Sequence, residues 1–328
     1  MRRRNFIGVV GGAAAAFAFK ARAQTERVRR VGFFSYLSAQ DPEAKAYSGA
    51  FLEGLRASGW TNGGNLQVDF RWTGGNVDRV RQYASELAAL APDVIVAAGG
   101  SHVGPLQQTT RSIAIVFVQV TDPVGGGFVD SLSRPGGNTT GFTVFEFDIS
   151  AKWLELLKEI APRTTRVGVF RDPANPSGTG LFGAIQAVAP RFGVDVSPLG
   201  LRDAREIERA AASFASGPNG GWVVTPSGLA IVNRELIVKL AAQHGLPAIY
   251  PFRDFAVAGG LASYGPDVVD QYRRAAGYVS RILKREKPAD LPVQRSTKFD
   301  LVLNLKAAKG LGIDMPQSLV LRADEVIR

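Results

Sequence analysis

The chain has 328 residues, of which 39 are Lys or Arg and 29 are Asp or Glu, for a formal net charge of +10. Arg2, Arg3, Arg4, Lys20 and Arg22 fall within the first 24 residues with no acid beside them, which leaves a mild excess of about +5 for the rest. That excess is spread over the chain without a Lys/Arg-rich tract, which argues against the concentrated basic face of a nucleic-acid binder, and the lack of cysteine excludes disulfides and thiol chemistry.

The first segment, MRRRNFIGVVGGAAAAFAFKARAQ, reads as a signal peptide over residues 1–23. Arg2 to Arg4 form a basic start, residues 6 to 19 an apolar stretch, and Ala21-Arg22-Ala23 the small-x-small pattern of a cleavage site. The apolar stretch is shorter than the roughly 20 residues a membrane span needs, and no later stretch supplies them, so no transmembrane segment is expected after cleavage. Arg3-Arg4-Asn5-Phe6-Ile7 resembles a twin-arginine export signal.

Strand-like and helix-like segments then alternate. VGFFS (31–35) is followed by a helical stretch from Pro42 to Ser58, and LQVDFRW (66–72) alternates as a strand does. Val77, Val80, Tyr83, Ala84, Leu87 and Leu90 share one helical face. DVIVAAG (93–99) and IAIVFVQV (113–120) are continuous apolar runs, as expected of central parallel strands covered on both faces. The glycine-rich stretch VTDPVGGGFVDSLSRPGGNTTG (120–141) is not a phosphate cradle, because Asp130 stands where a dinucleotide fingerprint needs its third glycine and no Gly-Lys-Ser/Thr triplet occurs.

After Gly141 the pattern restarts. A helix around Trp153, Leu154, Leu157 and Ile160 leads to RVGVF (166–170), a helix to Phe192 and VDVSPL (194–199). A helix from Ala204 to Ser216, GWVVT (221–225), a helix to His244 and PAIY (247–250) follow. Two successive βαβαβα runs predict an α/β chain with two doubly wound parallel-sheet lobes. The tail breaks the pattern with GGLASYG (259–265), a long helix from Val268 to Lys284, a segment near Thr297 to Leu303, and a helix from Asn304 to Gly310.

In such sheets the ligand lies beyond the carboxyl ends of the strands. Those ends are polar and small: Ser35-Tyr36, Gly99-Gly100-Ser101-His102, Thr121-Asp122-Pro123, Asn175-Pro176-Ser177 and Thr225-Pro226-Ser227. Hydroxyls, amides and free N–H groups of this kind bind a small polar ligand, and the same residues also serve as helix caps and turns. The candidate ligand-binding residues are therefore Tyr36, Ser101, His102, Thr121, Asp122, Asn175, Ser177, Thr225, Ser227 and Phe252, with Tyr36 and Phe252 as aromatic surfaces. His102 at its strand end either touches ligand or is solvated. No catalytic residue is assigned: G-x-S-x-G does not occur, and Gly99-Gly100-Ser101-His102-Val103 only approaches it. Without cysteine, H-E-x-x-H or an EF-hand loop, neither metal nor cofactor is expected. A sugar-repressor type of regulator would need a helix-turn-helix where the signal peptide stands.

Several motifs together resemble the ABC-transporter substrate-binding protein family, the branch of type I periplasmic binding proteins that includes the tryptophan-binding TrpX-type lipoproteins. They are the twin-arginine-like start, TDPVGGGFVDSLSRPGGNTTGF, LPAIYPFRDFAVAGGLASYGPD, YRRAAGYVSRILKREKPADLPVQRSTKFDLVLNLKAAKGLGI and SLVLRADEVI. The resemblance spans essentially the whole mature chain. It implies a type I periplasmic binding fold, with a first lobe of residues 28–143 plus 256–287 and a second of 144–255 plus 288–328. Three crossings would lie near Gly141 to Phe145, Tyr250 to Phe255 and Lys287 to Thr297, with the glycine stretch as a joint before the first. A periplasmic monomer would close its cleft on a small polar or aromatic ligand, an amino acid or another carboxylate, and deliver it to the membrane permease of an ABC importer. A periplasmic receptor feeding a signalling partner, or a hydrolase using the same cleft, are the alternatives. One departure stands out: relatives that bind amino acids commonly place an acid after a second-lobe strand, and Thr225-Pro226-Ser227-Gly228 has none, leaving Asp122 or Asp254 as substitutes.

Overall fold

The computed structural model describes residues 27–328; the expected signal peptide, with its twin-arginine-like pattern, lies outside the described residues. The first half of the chain forms β1 (Arg29–Ser35), α1 (Pro42–Ala57), β2 (Leu66–Trp72), α2 (Val77–Ala89), β3 (Val94–Ala98), α3 (Gly100–Thr109), β4 (Ala114–Val120) and β5 (Thr139–Thr143). There follow α4 (Ile149–Ile160), β6 (Arg166–Arg171), α5 (Pro176–Val188), β7 (Asp195–Gly200), α6 (Ala204–Ala215), β8 (Gly220–Val224), α7 (Gly228–Val232), α8 (Arg234–Gln243), β9 (Ala248–Tyr250), α9 (Arg253–Val257) and β10 (Ala262–Gly265). The tail contributes α10 (Val268–Leu283), β11 (Gln294–Arg295), β12 (Asp300–Asn304), α11 (Leu305–Gly310), α12 (Gln317–Arg322) and β13 (Glu325–Ile327).

These strands build two sheets, β11-β5-β4-β3-β1-β2 and β13-β12-β10-β9-β8-β6-β7. Every pairing is parallel except β10 with β12. The apolar runs make the centre of the first sheet: β3 and β4 are buried along their whole length, as strands covered by helices on both faces must be. Among the described residues, no helix is long and apolar enough to cross a membrane.

The chain crosses between lobes at 144–148, at Pro266-Asp267 and at 296–299. The second crossing therefore falls later than the sequence implied. Residues 256–265 belong with the second sheet, because Ala262 and Ser263 of β10 pair with Ile249 and Tyr250 of β9. The five-residue α9 makes this a very short crossover. Residues 294–295 of the third segment belong to the first sheet, with Gln294 beside Phe142. The glycine stretch also differs from a joint: it is a turn inside the first lobe, with Asp122 Oδ1 accepting from the Gly125 amide at 2.8 Å.

Val77, placed on the buried face of its helix by periodicity, is 70% exposed. It directly follows the cap residue Asn76, before the helix settles on the sheet, while Val80, Ala84 and Leu87 are buried. The tail helix α10 packs on α1, where a side chain at Gly54 would lie 2.8 Å from the Arg273 carbonyl oxygen.

Candidate functional site

The carboxyl ends of the two sheets face each other and touch. Tyr36, just past β1, lies on α7 of the second lobe so closely that a β-carbon at Gly228 would be 2.9 Å from its ring. Gly75, beyond β2, meets Val232 in the same way at 2.8 Å. Glycine at these two positions lets the lobes approach to backbone distance.

On the first wall the Tyr36 hydroxyl donates to Gln119 Oε1 at 2.8 Å, and the Tyr272 hydroxyl donates to the same oxygen at 3.1 Å. Gln119 is the penultimate residue of β4, where the pairing with β5 shifts register, and its backbone is left-handed with φ 55°. Its amide N–H donates to Gln271 Oε1 at 3.2 Å, and Gln271 Nε2 donates in turn to the Thr143 carbonyl and to Ser296 Oγ. The Gln119 Nε2 is buried with no partner among the described residues. The left-handed backbone and the unpartnered donor occur together at this one residue of the first wall.

Ser101 is exposed in the first turn of α3, whose Gly99 cap position has no side-chain bond. Helix starts of this kind attract anions. His102 is neither solvated nor free to meet ligand: it is 1% exposed, and its ring lies edge-on to Phe34 at 4.4 Å. Burial pulls its pKa down to about 3, so the ring is neutral. Thr73 Oγ1 donates to the Ser35 carbonyl and takes the His102 Nε2–H at 3.3 Å. That tautomer leaves Nδ1 to accept from Ser101 Oγ at 3.1 Å. The histidine thus orients Ser101, whose oxygen is left as an acceptor. Thr121 is buried, and Asp122, with φ 48°, is occupied by its turn.

The second-wall candidates have internal partners. Thr225 is fully buried and donates to the Phe170 carbonyl at 2.9 Å. Ser227 caps α7 by accepting from the Ala230 amide at 3.0 Å. Asn175 caps α5 and accepts from Ser177 Oγ at 2.8 Å. Phe252 packs on Phe145, ring centroids 5.6 Å apart, among the crossings rather than on the cleft wall. Asp254 accepts from the Tyr47 hydroxyl at 2.7 Å, which accounts for one of its oxygens.

Two residues passed over in the sequence stand out. One is Gln119. The other is Asp172, an acid at the end of β6, the neighbour of β8. It is 7% exposed, and one oxygen accepts from the Ala174 amide at 2.9 Å. Burial raises its pKa, and no salt bridge reaches it among the described residues. The signal is present in FRDPANPS (170–177), where an acid closely follows an apolar strand run. Two cavities, of about 360 and 440 Å³, open at the crossings rather than between Ser101 and Asp172.

A family model described as ABC transporter substrate binding protein matches residues 36–327. The tyrosine-binding protein of Clostridioides difficile (strain R20291) is 25% identical over 261 residues, covering 80% of this chain and 75% of that protein. A solved conserved domain protein from Vibrio cholerae O1 biovar El Tor superposes with a TM-score of 0.85 at 28% identity, over 91% of this chain and 99% of its own. An ABC domain from Streptococcus pneumoniae in complex with L-Trp has the same fold, with a TM-score of 0.85, 23% identity and the same two coverages.

Proposed function

Because the chain belongs to the ABC transporter substrate-binding protein family, a family that binds solutes and does not transform them, we propose that it captures an amino acid or similar carboxylate between its lobes for an importer. It is exported with cleavage after Ala23, by the twin-arginine route, acts as a monomer in the periplasm and hands its ligand to a membrane permease. The lobes close on the ligand because only the closed arrangement touches it from both walls.

The observation that carries this reading is the pairing of chemistries at facing strand ends. The uncapped start of α3, with its free backbone N–H groups, suits a carboxylate, while the Ser101 oxygen, left as an acceptor, suits a donor group of the ligand. The Gln119 Nε2 donor would serve a further acceptor oxygen of the ligand. On the opposite lobe Asp172 is a buried carboxylate with no cation paired to it among the described residues, and a ligand ammonium would supply one. Tyr36 gives an aromatic surface for the ligand's side chain. Thr121, with its oxygen at the end of β4, completes the first wall. The names of the relatives support an aromatic amino acid: one is a tyrosine-binding protein and another holds L-Trp.

Titration calorimetry with L-tyrosine and L-tryptophan tests this. Wild type should bind at least one of them, with Ser101→Ala losing several-fold in affinity and Asp172→Asn at least tenfold, since hydrogen bonds to charged groups contribute about 1.5–3 kcal/mol. Unchanged affinity in Asp172→Asn would remove the ammonium site, and binding of neither amino acid would shift the ligand to another carboxylate class.

A further inference from the structure

Away from the proposed ligand groups, a second set of polar side chains bridges the lobes. Arg234 opens α8 in the second lobe and reaches the start of α1 in the first. Its Nη1 donates to Asp41 Oδ2 at 3.0 Å, and its Nη2 donates to Asp41 Oδ1 at 3.2 Å and to Glu43 Oε2 at 2.9 Å. Arg234 is buried and the Asp41 and Glu43 side chains are mostly covered, at 10%, 12% and 16% side-chain exposure. Arg234 also donates to the Ile231 carbonyl, and Asp41 caps α1 by accepting from the Glu43 amide, so both partners are held in place from within their own lobes. One helix turn further along α1, Tyr47 donates to Asp254 of the second lobe.

We propose that Asp41, Glu43, Arg234 and Asp254 form a proton-linked latch between the lobes, which takes up a proton as they close, so that closure is favoured as pH falls. The charge balance is the reason. Closing gathers three carboxylates around one guanidinium in a space partly withdrawn from water. Arg253, the other cation near Asp254, is held by Glu325 at 2.6 and 2.8 Å. The remaining neighbours, Tyr36 and Tyr47 from the first lobe and Tyr272 from α10, are neutral hydroxyls, since burial raises the pKa of each. Asp267, Lys298 and Asp300 line the cavity on the far side of Asp254, with Lys298 engaged by Asp300 at 2.7 Å. Opening returns Asp41 and Glu43 to water with the first lobe and leaves Arg234 and Asp254 on the second.

The direction follows from which groups shift. Desolvation, then the proximity of Asp41 and Asp254, pushes Glu43 up to about 7. Desolvation also raises Asp254. Desolvation works against the charge of Asp41, but the Glu43 side chain, Arg234 and the Glu43 amide outweigh it, so Asp41 stays below the ordinary carboxylate value and keeps its charge. A carboxyl whose pKa is higher in the closed state than in water favours closure below its open-state value. It loses that contribution as pH rises through the closed-state value. The window therefore runs from about 4.5 to about 7, with a change in the closed-to-open ratio of at most about tenfold per pH unit for one proton.

Because the chain has no cysteine, Arg79→Cys and Arg209→Cys, one exposed position in each lobe, can carry a pair of distance labels without competition. In the mature protein with no ligand added, the label distance should shorten between pH 8 and pH 5. Glu43→Gln, which mimics the protonated side chain, should hold the short distance across that range. Arg234→Met should hold the long one at both ends, with circular dichroism checking that each variant is folded. If Glu43→Gln does not fold, Asp254→Asn should still reduce the pH response. A distance independent of pH, or a response unchanged in every folded carboxylate variant, overturns the latch. As no ligand takes part, these results stand apart from whether L-tyrosine or L-tryptophan binds.

Discussion

At the scale of single residues, the carboxyl ends of strands were legible as the place to look, because polar residues cluster there in both halves of the chain. What each residue does there was not. Ser and Thr beside a helix start look the same in sequence whether they face ligand or cap the helix, and the structure assigns hydrogen bonds that separate them. Thr225 and Ser227 are buried and bonded within their own lobe, whereas Ser101 is exposed, with its hydroxyl bonded to a buried histidine and its oxygen left as an acceptor. Gln119 was invisible for a different reason. An orphan donor is a property of the whole surrounding fold, and its two tyrosine partners come from positions 36 and 272. Two substitutions should therefore behave in opposite ways. Thr225→Val should cost about 1 kcal/mol of unliganded stability and leave affinity within about twofold. Gln119→Glu keeps the acceptor for both tyrosines but replaces the donor, so it should reduce affinity for a carboxylate ligand at least tenfold. Melting curves and calorimetry on the two variants check both.

At the scale of elements, the order of helices and strands was readable from periodicity, but membership of a sheet was not. β10 and β11 are short, of four and two residues, and nothing within a strand that small states which neighbour it will pair with. That choice depends on Ile249 and Phe142 waiting at open edges of different sheets. The approach of α7 to Tyr36 is another contact between elements that only the assembled fold displays. It predicts that Gly228→Val, which puts a branched side chain where a β-carbon alone would sit 2.9 Å from the Tyr36 ring, will hinder closure while each lobe stays folded. Small-angle scattering should show a larger radius of gyration than wild type at ligand saturation, and calorimetry a weaker affinity. Wild-type values for both would mean that the lobes close without bringing these residues together.

At the scale of the whole molecule, the proposed leader makes its own prediction: replacing Arg3-Arg4 by Lys-Lys should block export if the twin-arginine route is used, whereas a general secretory signal would tolerate it. Mass spectrometry of the periplasmic fraction should find Gln24 as the first residue, and mature protein at wild-type level from the Lys-Lys variant would exclude that route. The two-lobed plan was the most legible level of all, since two repeated βαβαβα runs leave few other ways to bury their strands. The tail was the least legible, because it serves both lobes, and it has a consequence for how the molecule is made. β11 pairs with β5 of the first sheet, while β12 pairs with β10 of the second. As a polypeptide leaves the ribosome from its amino end, at about 5–20 residues per second, both of those strand edges emerge well before their covers. Until residues 294–304 have been synthesised, each half-built sheet presents a row of unpaired backbone groups to the cytoplasm, open to a neighbouring nascent chain or to a chaperone. Neither lobe can be completed before the other has been translated, so the two finish folding as a pair.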